Sequence, residues 1–184
     1  VAEFARPLET VVKHILTTSD NLAAEMVFKV AGAKYAEEKT PLKTGLNTFG
    51  TTQNGINMFF DYYEKLGLDI KQVKLRDGSG VSRYNAMNAN WMTNALLKMN
   101  LDYEKYLPTS GEGTLLKRMR EMKDSVYFKT GTLFGTSSLA GVIKSGDNEY
   151  YWASVIMSYN RNKSLIKGIE DEMVYEVYRA GENE

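Results

Sequence analysis

Two short runs in this 184-residue chain hold residue types that can do chemistry, Ser19-Asp20-Asn21 and Lys129-Thr130-Gly131. The first joins a hydroxyl, able to donate and accept, to a carboxylate and an amide. The second joins an ammonium group to another hydroxyl and a glycine. Other catalytic equipment is missing. A Ser-His-Asp triad needs a histidine, and the single one, His14, lies inside a helical pattern where a surface or packing role accounts for it. With no cysteine and one histidine, a zinc site is not credible. Neither a Walker-type phosphate loop nor a G-x-G-x-x-G fingerprint occurs.

A three-residue string arises easily by chance, and Lys43-Thr44-Gly45 is a second K-T-G. Context separates the two copies. Lys43 follows a proline and precedes Leu-Asn-Thr-Phe-Gly in a loop-like stretch, whereas Lys129 falls on a strand pattern. A strand is what the chemistry requires, because a ligand backbone can pair with its edge while the Lys and Thr side chains face the cleft. Lys129 is therefore the functional copy. Arg76-Asp77-Gly78-Ser79-Gly80 does not fit the register of a nucleophile elbow and reads as a structured loop, with Asp77 as support. Ser164-Leu-Ile-Lys167 has S-x-x-K spacing, but it follows both other motifs and reads as a polar helix face.

These runs need elements to hold them. Leu8, Val11, Val12, Ile15 and Leu16 recur at helical spacing, as do Leu22, Met26, Val30 and Ala33. The stretch between them is an interhelical turn, with Ser19 or Asp20 as N-cap of the second helix. Ile56 to Leu66 and Asn88 to Met99 give two more amphipathic helices, separated by a Gly- and charge-rich loop from Gly67 to Asn85. Past residue 124 the period changes to alternation. Strands are predicted from Val126, from Ser138 to Lys144 and from Glu149 to Tyr159, with a hairpin at Ser145–Asn148. The third is apolar on nearly every residue, which predicts cover on both faces in mid-sheet. Ile166, Ile169, Met173 and Val177 predict a closing helix. The expected organisation is one domain fragment over 1–184, mostly helical with S-D-N over 1–124, and K-T-G strand, hairpin and closing helix over 125–184.

Longer segments occur in one order: Ser19-Asp-Asn-Leu-Ala-Ala-Glu25, Arg76-Asp-Gly-Ser-Gly-Val-Ser-Arg83-Tyr-Asn85, Leu107-Pro108 with Gly111-Glu-Gly-Thr-Leu-Leu-Lys-Arg118, and Lys129-Thr-Gly-Thr-Leu133 with Ser138-Leu-Ala-Gly141. Together they resemble the D-Ala-D-Ala carboxypeptidase/endopeptidase family of low-molecular-mass penicillin-binding proteins (peptidase family S13), over essentially the whole chain. Class A β-lactamases are similar in the short motifs only. They also carry an E-x-x-L-N segment, which is not found here.

The resemblance implies an α/β (α+β) fold of the penicillin-binding-protein/β-lactamase type, a helical subdomain plus an antiparallel sheet. It is incomplete here, because the family's N-terminal strands and S-x-x-K helix lie upstream of S-D-N. The activity implied is serine-type hydrolysis of D-Ala-D-Ala bonds or cross-links in peptidoglycan through an acyl-enzyme. By position, Ser19 relays a proton, Asn21 holds the substrate carbonyl and Asp20 braces the turn. Lys129 keeps the cleft positive, Thr130 and Thr132 bind the terminal carboxylate, and Gly131 admits the ligand. The Thr132 N–H is one of two oxyanion donors. The nucleophile, its lysine and the second donor are absent, so this chain alone is expected to be inactive. The alternative is a non-catalytic peptidoglycan-binding or scaffold module. No cofactor or metal is required.

Composition agrees with an exported or cell-envelope protein without demanding one. Acidic and basic residues balance at 23 each, which argues against a nucleic-acid partner. Val1-Ala-Glu-Phe-Ala-Arg-Pro has no signal-peptide pattern, and the chain reads as a piece of a longer protein. Expected partners are peptidoglycan stem peptides, β-lactams and the missing N-terminal segment. Without that segment the third strand's edge is bare, and a dimer through it is the substitute.

Overall fold

The computed structural model describes residues 5–39, 49–157 and 162–182. Lys43-Thr44-Gly45 and the Ser158–Tyr159 end of the predicted third strand lie outside them. In chain order the elements are α1 (Leu8–Thr18), α2 (Asn21–Lys39), α3 (Thr52–Lys65), α4 (Ala89–Met99), the one-turn α5 (Tyr103–Tyr106), β1 (Val126–Leu133), β2 (Thr136–Ser145), β3 (Asn148–Met157) and α6 (Lys163–Gly181). They group into two compact units, Val1–Ser19 with Met92–Glu184, and Asp20–Trp91. That grouping cuts the chain elsewhere than the helix-to-strand change near residue 124.

The first unit is built on an antiparallel sheet in the order β1-β2-β3. Its register pairs Lys129 with Ala140, Thr132 with Ser137 and Ala140 with Ala153. Two-residue turns join the strands, each with a glycine in the left-handed region, Gly135 at φ 73° and Gly146 at φ 55°. Alternation gives the sheet two faces. On one, Val126, Phe128, Leu139 and Ile143 close with Leu115, Met122 and Val174 of α6 into a core from which water is excluded. On the other, Tyr127 and Val142 pack with Tyr103 and Leu107, flanked by Leu16, Leu96 and Met99. Each fully buried aliphatic or aromatic side chain contributes about 1.5–3 kcal/mol.

Three expectations need correcting, two here and one in the second unit. β3 stands at the sheet edge, as expected of this chain, but its two faces are not both covered, and only Ser154 in it is buried. Its apolar run is covered by α6 on one side, and among the described residues no strand pairs beyond it. In α6 the buried face is Ile166, Glu170, Val174 and Gly181, while Ile169 and Met173 are exposed. Ile166 is buried as predicted and Val177 packs on the core, but in the middle of the helix Glu170 and Val174 take the inward places expected of Ile169 and Met173, with Glu170 paired to a buried arginine.

The second unit packs through small residues. A Cβ on Gly32 of α2 would lie 2.3 Å from the backbone nitrogen of Gly55 in α3, and Cβ atoms on Gly55 and Gly78 would run into the Phe28 ring. Glu25 accepts from the Gly78 N–H at 2.8 Å and from the Thr52 hydroxyl at 3.3 Å. Trp91 stacks at 5.9 Å on Phe59 and meets Tyr63 edge-on, and burial pushes the Tyr63 phenol up to about 12. The predicted α2 stripe forms as a helix but does not face inward. Leu22, Met26 and Val30 are 74%, 55% and 63% exposed, and the buried residues are Gly32 and Ala36. Close backbone approach selected the glycine face over the aliphatic one.

Candidate functional site

Ser19 ends α1 in the left-handed conformation (φ 60°, ψ 46°), its N–H closing on the Ile15 carbonyl at 2.9 Å. The end of α1 is seated on Gly113, where a Cβ would stand 2.2 Å from the Thr17 oxygen and φ is +45°. Only glycine satisfies both conditions at once. The helix end is thereby fixed against the 113–115 turn in the first unit, and the Ser19 hydroxyl is fixed with it.

Lys129 approaches from β1. Its Nζ donates to Ser19 Oγ at 2.8 Å and to the Thr130 carbonyl at 2.6 Å. The structure thus joins the two short motifs through a direct contact across 110 residues of chain. Burial lowers the Lys129 pKa from the ordinary lysine value, since desolvation disfavours the ammonium. By accepting from Lys129, the Ser19 oxygen leaves its own proton to be donated elsewhere. That is the arrangement a proton relay requires.

The outer edge of β1 is paired at its start, where the Phe128 N–H reaches the Pro108 carbonyl at 3.1 Å and Thr109 bridges Tyr127. From Lys129 to Leu133 no described residue pairs with that edge. The open stretch therefore begins at K-T-G, where an extended ligand could add as a strand. Lys129 and Gly131 share one face and Thr130 and Thr132 the other, so a ligand along the edge meets both pairs from the side. A Cβ on Gly131 would lie 2.3 Å from Ser138 Oγ, so glycine also keeps that hydroxyl in place. Thr132 is exposed and Thr130 half-buried. Behind Lys129 lies an apolar cavity of about 580 Å³, lined among others by Val12 and Leu16 of α1, Met99, Leu107 and Ala140.

Asp20 Oδ1 accepts the Ala23 N–H at 2.9 Å and so caps α2. Asn21 is the exposed first residue of α2. In the same second unit, Asp77 accepts from the N–H groups of Gly80 at 2.7 Å and Ser82 at 2.6 Å, and from the Asn85 amide at 2.8 Å. Three donors on one carboxylate make the 76–85 segment an ordered loop. Ser164 sits exposed in the first turn of α6, its N–H on Asn162 Oδ1 at 2.9 Å. His14 is exposed on α1. Among the described residues no group of three or more candidate ligands could hold a metal ion, and no helix is long and apolar enough to cross a membrane.

Sequence reasoning missed a buried polar cluster in the first unit. Glu170, fully inaccessible, accepts from the Ser137 hydroxyl at 3.0 Å and from the Arg118 guanidinium at 3.1 Å. Arg118 Nε also donates to Asp171 at 2.8 Å, and its Nη2 to the Lys167 carbonyl at 3.3 Å. Burial pushes the Glu170 carboxyl up, against the pull of Arg118 and Ser137. The available signal was the i, i+4 spacing of Ile166, Glu170 and Val174 about a glutamate.

The chain matches the D-Ala-D-Ala carboxypeptidase 3 (S13) family over residues 2–177. A D-alanyl-D-alanine carboxypeptidase from an Actinomadura species is 30% identical over 150 residues, spanning 74% of this chain and 26% of that protein. The crystal structure of penicillin binding protein 4 from Haemophilus influenzae superposes with a TM-score of 0.79 at 23% identity, covering 96% of this chain and 41% of that one. The TLA-1 extended spectrum β-lactamase superposes with a TM-score of 0.64 at 16% identity, covering 94% of this chain and 63% of that one. These likenesses establish the penicillin-binding-protein/β-lactamase type of α/β fold. The chain spans about a quarter of the length of its Actinomadura relative.

Proposed function

Because the chain belongs to the D-Ala-D-Ala carboxypeptidase 3 (S13) family, we propose that it is the C-terminal part of the penicillin-binding domain of a serine-type D-Ala-D-Ala carboxypeptidase or endopeptidase. The whole protein would act outside the cytoplasm, cleaving peptidoglycan stem peptides through an acyl-enzyme and binding β-lactams at the same site. The observation that carries this reading is the Lys129–Ser19 contact of 2.8 Å. A cation on a strand with an open edge, bonded to a hydroxyl with a proton left to donate, suits delivery of that proton to a leaving amine.

In this reading Ser19 is the relay, Asn21 the clamp on the substrate carbonyl and Asp20 the brace of the turn. Lys129 supplies positive charge. Thr130 and Thr132 receive the terminal carboxylate, the Thr132 N–H faces the developing oxyanion, and Gly131 gives the ligand backbone access. Asp77 supports its loop. All 184 residues form one part of a single domain. The nucleophile belongs to an S-x-x-K motif in the rest of the protein, and Ser164-x-x-Lys167 does not replace it. The apolar cavity behind Lys129 and the bare edge of β3 suit that remaining segment. In its absence a second copy of this chain would pair through the β3 edge.

The alternative is a non-catalytic peptidoglycan-binding or scaffold module that keeps the cleft without acylating. A fluorescent penicillin separates the two. The bare 184-residue chain should take up no covalent label, and supplying it with the family's S-x-x-K segment should produce labelling on that segment's serine. Labelling of the bare chain at Ser164 or Ser79 would overturn the assignment. No labelling with the segment bound would favour the binding module.

A further inference from the structure

The mouth of the β1–β2 hairpin is the open end of the K-T-G strand, and one side chain there is tied to the interior. Ser137 pairs with Thr132 across the two strands, and its neighbour Thr136 pairs with Leu133. Ser137 is itself buried and points to α6, where its hydroxyl donates to Glu170 Oε2 at 3.0 Å. Glu170 is bound in turn by Arg118 at 3.1 Å, and the Arg118 carbonyl accepts the buried Ser110 hydroxyl at 2.6 Å. The hairpin mouth, the middle of α6 and the 110–118 loop are thus joined through one carboxylate. Glu170 Oε1 has no hydrogen-bond partner despite its burial. Anchoring at that point is therefore concentrated on a single oxygen.

We infer that Ser137, Glu170 and Arg118 form a positioning unit that sets where the Thr132 edge of the K-T-G strand stands relative to Lys129. The inference deepens the functional reading above, because it concerns the same strand, but its physical content is independent of catalysis. An apolar contact resists separation and tolerates sliding, since the hydrophobic effect is non-directional. A charge-assisted hydrogen bond is directional and short-ranged, so it fixes the strand along its own axis. The rest of β1 has such apolar contacts, with Phe128 and Val126 in the core. Thr132 is exposed and outside that core. A neighbour's hydroxyl supplies the fixed point instead.

The opposite end of β2 provides an internal control. Ser145 is buried in the same way and donates to the Tyr178 carbonyl of α6, but it pairs with Asn148 at the other hairpin. The experiment is amide hydrogen exchange, read residue by residue by NMR on the 184-residue chain. Ser137→Ala and Glu170→Gln should each accelerate exchange at Gly131, Leu133 and residues 136–138, whose amides lie within the sheet, by roughly tenfold, the effect of losing one charge-assisted hydrogen bond. Exchange at Val126–Phe128 should stay within about twofold of the parent. Ser145→Ala should leave the 131–138 segment unchanged. A uniform acceleration along all of β1, or an unchanged hairpin mouth in Ser137→Ala, would overturn the proposal and reduce the cluster to a general clamp on α6. Neither result depends on acylation. Failure here leaves the functional reading standing, and failure of penicillin labelling leaves this one standing.

Discussion

Helices α2 and α6 are both 19 residues long and both carry an aliphatic stripe at four-residue spacing. Neither stripe is what holds its helix. In α6 the inward face is Ile166, Glu170 and Val174, a glutamate between two aliphatics, while Leu165, Ile169 and Met173 remain outside. In α2 the inward face is Gly32 and Ala36, while Leu22, Met26 and Val30 remain outside. The first helix is held by a partner that no hydrophobic count would favour, the second by side chains too small to register in one. Hydrophobic periodicity identified both as helices, misplaced the face of α2, and in α6 found Ile166 and Val177 but not Glu170 and Val174. Where a buried ion pair or a close backbone approach is available, it sets the rotation of the helix, and the aliphatics are left to whatever lies beyond.

That contrast can be tested at each helix. The largest effect is expected at α6: Arg118→Ala leaves Glu170 buried without its cation, and should cost about 3–5 kcal/mol in a urea unfolding experiment. A cost below about 1 kcal/mol would mean that α6 is seated by Ile166 and Val174 alone. Next comes Gly32→Ala in α2. Its Cβ would meet Gly55 backbone, which cannot move aside as a side chain could, and should cost about 1–3 kcal/mol in the same assay. A neutral or stabilising result would show that α2 and α3 can move apart at little cost. The smallest effect should come from Met26→Gln on the outward stripe, within about 0.5 kcal/mol of the parent. A larger loss in this chain would mean that the stripe is already covered, by a second copy or by another part of the fold.

Much of the architecture was legible because it rests on local rules. The helix-to-strand change near residue 124, the hairpin at Gly146 and the interhelical turn at Ser19-Asp20 follow from period and turn chemistry, and each is where the spacing placed it. The contact of Ser19 with Lys129 is a finding of the structure; the motif resemblance implied only that both residues serve one cleft. What could not be read was long-range. The run Tyr150 to Met157 reads as a central strand because its composition reflects the neighbours it is suited to, and a composition does not say whether those neighbours are on the same chain. Glu170 was passed over for the converse reason. A lone glutamate in a helix reads as surface until its arginine, 52 residues away in sequence, is known to lie opposite. Gly113 lies in the Gly111–Arg118 run, yet its role under Thr17 depends on a contact that no short window contains.

The left-handed turn at Ser19 asks two things of one position. As the residue that stops α1 at φ 60°, it would be filled best by glycine and tolerably by asparagine. As a hydroxyl within reach of Lys129, it could be filled by serine or threonine, and threonine's branched Cβ makes that backbone costly. The two lists share no preferred member, and serine is the residue least unsuited to both. Ser19→Gly therefore removes the hydroxyl while relaxing the backbone. A mutational history of this site that drifted toward glycine would be a record of stability gained as the relay was given up.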